Sequence, residues 1–205
     1  MNNFEKINAD FFNESCEKFK NSSWQACCYI DEFMQDVYYH SIFKNINKNF
    51  KNILDIGCGQ ADLLDFIRKN SSKASYTGLD VSNKMIEYCN KKFPKDLFYN
   101  CSFLDFKNKD SFDLIFAVGV FNLRVSNDEK EQLDYLKQNI HKMYSECKKS
   151  CSFTLMSRYG NQNSEDQLFY YEPWKVLEYC FSLTSSVVLD HSSIPIDFIV
   201  TLYKD

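Results

Sequence analysis

The chain has 205 residues, 44% hydrophobic and 25% charged, the balance of an ordinary folded domain that buries roughly 70% of its unfolded surface without disulfide or metal staples. Its 24 basic and 28 acidic side chains leave a formal charge of −4, with no lysine or arginine track to neutralise a polyphosphate, which argues against dedicated nucleic-acid binding. Apolar runs such as 114–121 fall short of the roughly 20 residues of a bilayer span, and Glu5, Asp10, Glu14 and Glu17 argue against a secretory leader.

Residues 1–50 read as helices. Phe4, Ile7 and Phe11, then Ala26, Ile30, Phe33 and Val37, recur at three- to four-residue spacing on either side of a break at Asn21, Ser22 and Ser23. This stretch is expected to form a helical N-terminal lid, with Trp24, Tyr29 and Phe33 candidates to close over a ligand. From residue 51 to 205 short apolar runs alternate with amphipathic stretches, the pattern of an α/β domain around a parallel sheet. Strands are predicted over 52–56, 74–79, 97–101, 112–118, 151–156, 186–189 and 198–203, and helices near 61–70, 83–93, 127–148 and 173–182. Ser126 and Glu129 have the spacing of a capping box at the head of the longest helix.

Glycine is scarce, with 5 in the chain, so each is expected to answer a backbone need. The string ILDIGCGQADLL (53–64) runs from a strand through Asp55, Gly57, Cys58, Gly59 and Ala61 into a helix. Such a turn brings main chain close to a ligand, and the helix N-terminus adds unpaired N–H groups. The next strand ends at Asp80, followed by Val81 and Met85. A carboxylate there is placed to accept both hydroxyls of a ribose; its structural alternative is capping the helix at Asn83, which Ser82 could do instead. A dinucleotide fingerprint asks for glycine or alanine three residues after Gly59, where Asp62 stands. That acid, with Asp55, repels a pyrophosphate and suits a cofactor carrying an ammonium group.

The acid-x-Gly-x-Gly string resembles motif I of the class I S-adenosylmethionine-dependent methyltransferases, and the resemblance covers roughly residues 50–205. It implies a seven-stranded Rossmann-like three-layer sandwich, mostly parallel, whose last strand is inserted antiparallel. It further implies S-adenosyl-L-methionine as cofactor and S-adenosyl-L-homocysteine as product. Asp80 then binds ribose, Asp105 the adenine amino group with Leu104 and Phe106 beside the ring, and Gly119 ends the fourth strand. Ala61 replaces the usual third glycine. The absence of an Asn-Pro-Pro-aromatic string argues against methylation of nucleic-acid bases, and GVFN (119–122) looks like bacterial small-molecule enzymes of this class.

Ligands of open α/β sheets lie off the carboxyl ends of the strands, which nominates acceptor-side residues. His191 is the candidate general base, with Asn122 as an orienting catalytic group. Arg124 and Arg158 could grip a carboxylate or phosphate, and Tyr159 could hydrogen-bond the acceptor. A small acceptor, anionic or sugar-like, is expected, in a cytoplasmic monomer or homodimer; the 9 cysteines, none in CxxC spacing, suit a reducing compartment. Cys147, Cys151 and His141 lack the four convergent ligands of a zinc site, so no metal is expected. An NAD(P)-dependent oxidoreductase and a non-catalytic S-adenosylmethionine-binding protein are the alternatives.

Overall fold

A computed structural model describes residues 3–20, 22–47, 49–70, 73–107, 112–124, 126–160 and 167–204; Asn21 of the expected break lies outside them. Three helices lead: α1 (Asn3–Lys18), α2 (Ser23–Ala26) and α3 (Glu32–Phe43). Then come β1 (Asn52–Ile56), α4 (Asp62–Lys69), β2 (Ser75–Asp80), α5 (Asn83–Lys92), β3 (Leu97–Asn100) and β4 (Phe112–Ala117). The chain finishes with α6 (Glu129–Glu146), β5 (Cys147–Met156), α7 (Pro173–Phe181), β6 (Val187–Asp190) and β7 (Asp197–Tyr203).

The strands form one seven-stranded sheet in the order β3-β2-β1-β4-β5-β7-β6. β7 runs antiparallel between β5 and β6, and the pairings from β3 to β5 are parallel. This is the Rossmann-like sandwich with an inserted antiparallel last strand. β4 is buried at all six positions, as a central strand covered on both faces must be, and its sequence is correspondingly a near-continuous apolar run.

Helices α6 and α7 bury Leu136, Ile140, Met143, Val176 and Cys180 against one face of the sheet. Helices α3, α4 and α5 bury Tyr39, Ile42, Leu64, Ile67 and Cys89 against the other. Helix α3 therefore shares the sheet's own core, while Cys16 of α1 and Ala26 of α2 pack on Met85 of α5. Among the described residues no helix is long and apolar enough to cross a membrane.

Two local expectations change. β5 begins at Cys147, where helix was expected, because Cys147 pairs with Phe112 and continues the β4–β5 ladder; cross-strand pairing outweighs the local pattern. Helix α6 starts at Glu129, so its N-cap is Asp128, whose carboxylate accepts from the Lys130 N–H. Ser126 instead accepts the Asp128 N–H and donates to Glu131, so there is no Ser126–Glu129 capping box.

Candidate active site

The turn after β1 is built from left-handed residues: Gly57 at φ +66°, Gly59 at φ +53° and Ala61 at φ +60°. A Cβ on Gly57 would lie 2.6 Å from Val120 Cγ2, so this position needs glycine for both space and conformation. Ala61, fully buried, is the N-cap of α4 and takes the same conformation at the cost that a left-handed L-residue carries. Gly59 donates its N–H to Asp80 Oδ2 at 2.9 Å, and Ser82 donates its N–H to Asp80 Oδ1 at 2.8 Å. Ser82 caps α5 by accepting from the Met85 N–H at 3.2 Å, leaving Asp80 to the turn.

Burial pushes Asp80 up to about 6, against the hydrogen bonds from the Ser82, Gly59 and Val81 N–H groups. Burial likewise pushes Asp55 up to about 7, opposed by the Tyr76 hydroxyl, which donates to Asp55 Oδ2. Both carboxylates sit where water is scarce, and a bound positive charge would favour their ionised forms.

A cavity of about 490 Å³ opens off the carboxyl ends of β1, β2, β4 and β5 and the first residues of β7, with α1 and residues 27–39 along its other side. Among the described residues its charged lining consists of Glu5, Asp55, Asp80 and Asp197, with no lysine, arginine or histidine. Aromatic rings, including Phe12, Tyr38, Phe103, Phe121 and Tyr135, form much of the wall. Among the described residues three buried lining atoms have no hydrogen-bond partner: Asn8 Oδ1, Tyr170 Oη and Asp197 Oδ1. Buried polar atoms are normally paired, so these atoms leave hydrogen-bonding capacity facing the cavity. Gly119, at φ +74°, has no atom within 4 Å of where a Cβ would stand, leaving open space beside the chain.

Of the residues nominated from sequence, Asp55, Gly57, Cys58, Gly59, Asp80, Val81, Met85, Gly119 and Asn122 line this cavity together. Ala61, Leu104, Asp105 and Phe106 do not. The ammonium of Lys142 donates to the carbonyls of Phe103, Leu104 and Phe106 at 2.6, 3.2 and 2.7 Å. The segment curls around that charge, and Asp105 is exposed. Ser102 and Phe103 line the cavity there, and the Ser102 hydroxyl donates to Glu5 of α1.

On the acceptor side, Asn122 Oδ1 accepts from the Met156 N–H at 3.0 Å and so ties the ends of β4 and β5. Arg124 lies over the Phe169 ring at 5.1 Å, Arg158 pairs with Glu172 at 2.8 Å, and Tyr159 is 68% exposed. None of the three lines the cavity. Neither does His191, which packs against Phe198, because β7 separates β6 from β5 and carries the end of β6 to the sheet's rim. Of the leader aromatics Tyr29 lines the cavity, Trp24 does not, and Phe33 is exposed.

Glu5, Tyr38, Ser102, Tyr170 and Asp197 also line the cavity, although no motif singles them out. For Asp197 a signal existed: in an antiparallel strand the first residue, not the last, reaches the ligand edge.

Residues 54–144 match the family model described as a methyltransferase domain. The protein Rv1506c of Mycobacterium tuberculosis, provisionally named a methyltransferase, is 27% identical over 75% of this chain and 93% of its own length. Malonyl-[acyl-carrier protein] O-methyltransferase of Priestia megaterium is 29% identical over 71% of this chain, which spans 51% of that protein. The fold matches that of magnesium protoporphyrin IX methyltransferase from Synechocystis PCC 6803, solved with bound S-adenosylhomocysteine. The TM-score is 0.69 at 11% identity, across 98% of this chain and 100% of that one.

Proposed function

We propose that this chain is a class I S-adenosylmethionine-dependent methyltransferase, a reading supported by the methyltransferase-domain match over residues 54–144 and by the shared fold, and that it methylates a small, neutral or cationic molecule with an apolar or aromatic frame. The observation that carries the reading is the cavity's lining: four carboxylates, no cationic side chain among the described residues, and walls of aromatic rings. An anionic acceptor would lose its hydration there without a partner, so the carboxylate or phosphate expected from Arg124 and Arg158 is not proposed.

The fit to the cofactor rests on the Asp80 carboxylate at the Gly59 turn, the open space at Gly119 and the unpartnered Asn8 Oδ1. When bound, S-adenosylmethionine supplies an electrophilic methyl group on a positively charged sulfur. In this reading Asp80 accepts the ribose hydroxyls and the Gly57–Gly59 main chain borders the methionine portion. Val81 and Met85 give apolar contact to the base, and Glu5 with Ser102 meets its exocyclic amine. Asp55 and Asp80 bias the site toward a cation, and the aromatic walls exclude water so that alignment does much of the catalytic work. Helix α1 and residues 27–30 serve as the lid of this site, while α3 belongs to the sheet's core.

Calorimetric titration tests the assignment directly. S-adenosylhomocysteine is expected to bind saturably and NAD+ not to bind. Heat from NAD+ with none from S-adenosylhomocysteine would transfer the chain to the oxidoreductases.

A further inference from the structure

We infer that Asp197 faces the acceptor's nucleophile and takes its proton, which makes the acceptor a neutral molecule reacting through an N–H or O–H group. This rests on the methyl-transfer reading above and goes beyond it by assigning a base and an acceptor chemistry.

Asp197 is the first residue of β7 and sits opposite Met156 in the β5–β7 ladder. It is 1% exposed, lines the cavity, and its Oδ1 has no hydrogen-bond partner among the described residues. A buried carboxylate oxygen without a donor is costly, and the cavity it borders is the place from which a donor can come. The Tyr38 hydroxyl of α3 neighbours the same carboxylate and favours its ionised form. Tyr170, whose hydroxyl is also unpartnered, is kept beside Met156 by the Tyr171 N–H, which donates to the Met156 carbonyl at 2.8 Å. Asp80, by contrast, has both oxygens engaged by backbone N–H groups.

The requirement for a base follows from the chemistry. The nucleophile's lone pair forms the new bond to the methyl carbon, the C–S bonding pair returns to sulfur, and sulfur ends as a neutral thioether. The nucleophile's proton passes to Asp197 Oδ1 and then to water. No acid is needed for the leaving group, so one carboxylate with a free oxygen suffices. Among the described residues the titratable neighbour of Asp197 is Tyr38 from α3, with Tyr29 beside Tyr38, and Tyr170 from the segment before α7 lines the same cavity. Burial pushes Asp197 up to about 6, with the Tyr38 hydroxyl opposing, which leaves it ionised near neutrality yet more basic than an exposed aspartate.

The test uses the full chain, methyl-labelled S-adenosylmethionine, and a panel of phenols, alcohols, primary and secondary aromatic amines, and carboxylic acids. Wild type is expected to label N–H or O–H compounds, with a rate that rises with pH near ~6; because Asp80 and Asp55 of the same cavity are pushed up to about 6 and about 7, the inflection is assigned to Asp197 by its shift in Tyr38→Phe. Asp197→Asn is expected to lose about 100-fold in kcat, with S-adenosylhomocysteine affinity kept within about twofold. Tyr38→Phe, which removes the hydroxyl favouring the ionised form, should move the inflection upward. Carboxyl ¹³C NMR of the cofactor-free protein gives a readout independent of turnover: the signal missing in Asp197→Asn should titrate near ~6 in wild type.

Labelling of carboxylic acids alone, or of no N–H or O–H compound, overturns the inference, as does an Asp197→Asn rate within threefold of wild type. An Asp197 signal titrating below about 4.5 also overturns it. If Asp197→Asn fails to fold, the Tyr38→Phe profile decides, and an unmoved inflection counts against the inference. Failure of S-adenosylhomocysteine to bind wild type would instead remove the methyl-transfer reading, so the two failures are distinguishable.

Discussion

The carboxylate of Asp80 accepts the Gly59 N–H at 2.9 Å, so the tip of β2 fixes the turn that follows β1. One side chain thereby closes the turn and presents its remaining lone pairs to the cavity. Asp80→Ala should weaken S-adenosylhomocysteine binding by at least about tenfold, on the order of 1.4 kcal/mol, through loss of charged hydrogen bonds. It should also lower the melting temperature, since the Gly59 and Ser82 N–H groups lose their acceptor. Calorimetry on the folded variant that returned wild-type affinity would reject the ribose role.

Gly57 and Gly119 are both left-handed, yet alanine at the two positions should have different consequences. At Gly57 the new methyl meets Val120 Cγ2 at 2.6 Å, whereas at Gly119 it meets nothing within 4 Å. Gly57→Ala combines strain and overpacking and should cost about 2–4 kcal/mol in denaturant unfolding. Gly119→Ala should cost only the conformational strain, about 1 kcal/mol, but its methyl enters the space proposed for cofactor. Cofactor affinity measured beside stability should therefore fall disproportionately in Gly119→Ala.

Buried carboxylates also give stability a defined pH dependence. Burial raises Asp55 from 3.8 to about 7, against the Tyr76 hydrogen bond. Between these values the folded state holds a proton that the unfolded state has released, so the contribution of Asp55 to stability falls as pH rises from about 4 to about 7 and is flat above. Asp55→Asn removes that dependence. Stability of wild type relative to Asp55→Asn, measured by denaturant titration, should decline across this window and level off beyond it. A difference independent of pH would mean that Asp55 titrates normally.

The order of strands and helices was legible because it rests on local hydrophobic periodicity, and the inserted antiparallel strand followed from the family resemblance. The strand-end part of the candidate site was legible for a related reason: Gly57, Gly59, the carboxylate of Asp80 and Gly119 occupy strand ends, where topology alone dictates position. Side-chain partners were not legible. Arg124 and Arg158 stand at the right strand ends, but Phe169 and Glu172 draw their guanidinium groups away from the cavity. Asp105 has the right spacing, but three carbonyls converging on Lys142 curl its segment outward. Such choices are set by long-range contacts that no spacing in the sequence records.

Glu5 shows what the leader contributes. It lies 97 residues from Ser102 in sequence, yet its carboxylate accepts the Ser102 hydroxyl in a buried contact, and both residues line the cavity. A carboxylate there can accept from an exocyclic amine, the task the family resemblance assigned to Asp105, which is exposed. Glu5→Gln preserves shape while removing the charge, and should weaken S-adenosylhomocysteine binding about tenfold, the worth of a hydrogen bond to a charged acceptor. S-inosylhomocysteine, whose base carries a carbonyl in place of the amine, isolates the contact: wild type should discriminate strongly against it and Glu5→Gln weakly, while Asp105→Ala should behave as wild type. Loss of discrimination in Asp105→Ala, with Glu5→Gln unaffected, would return base recognition to the loop after β3.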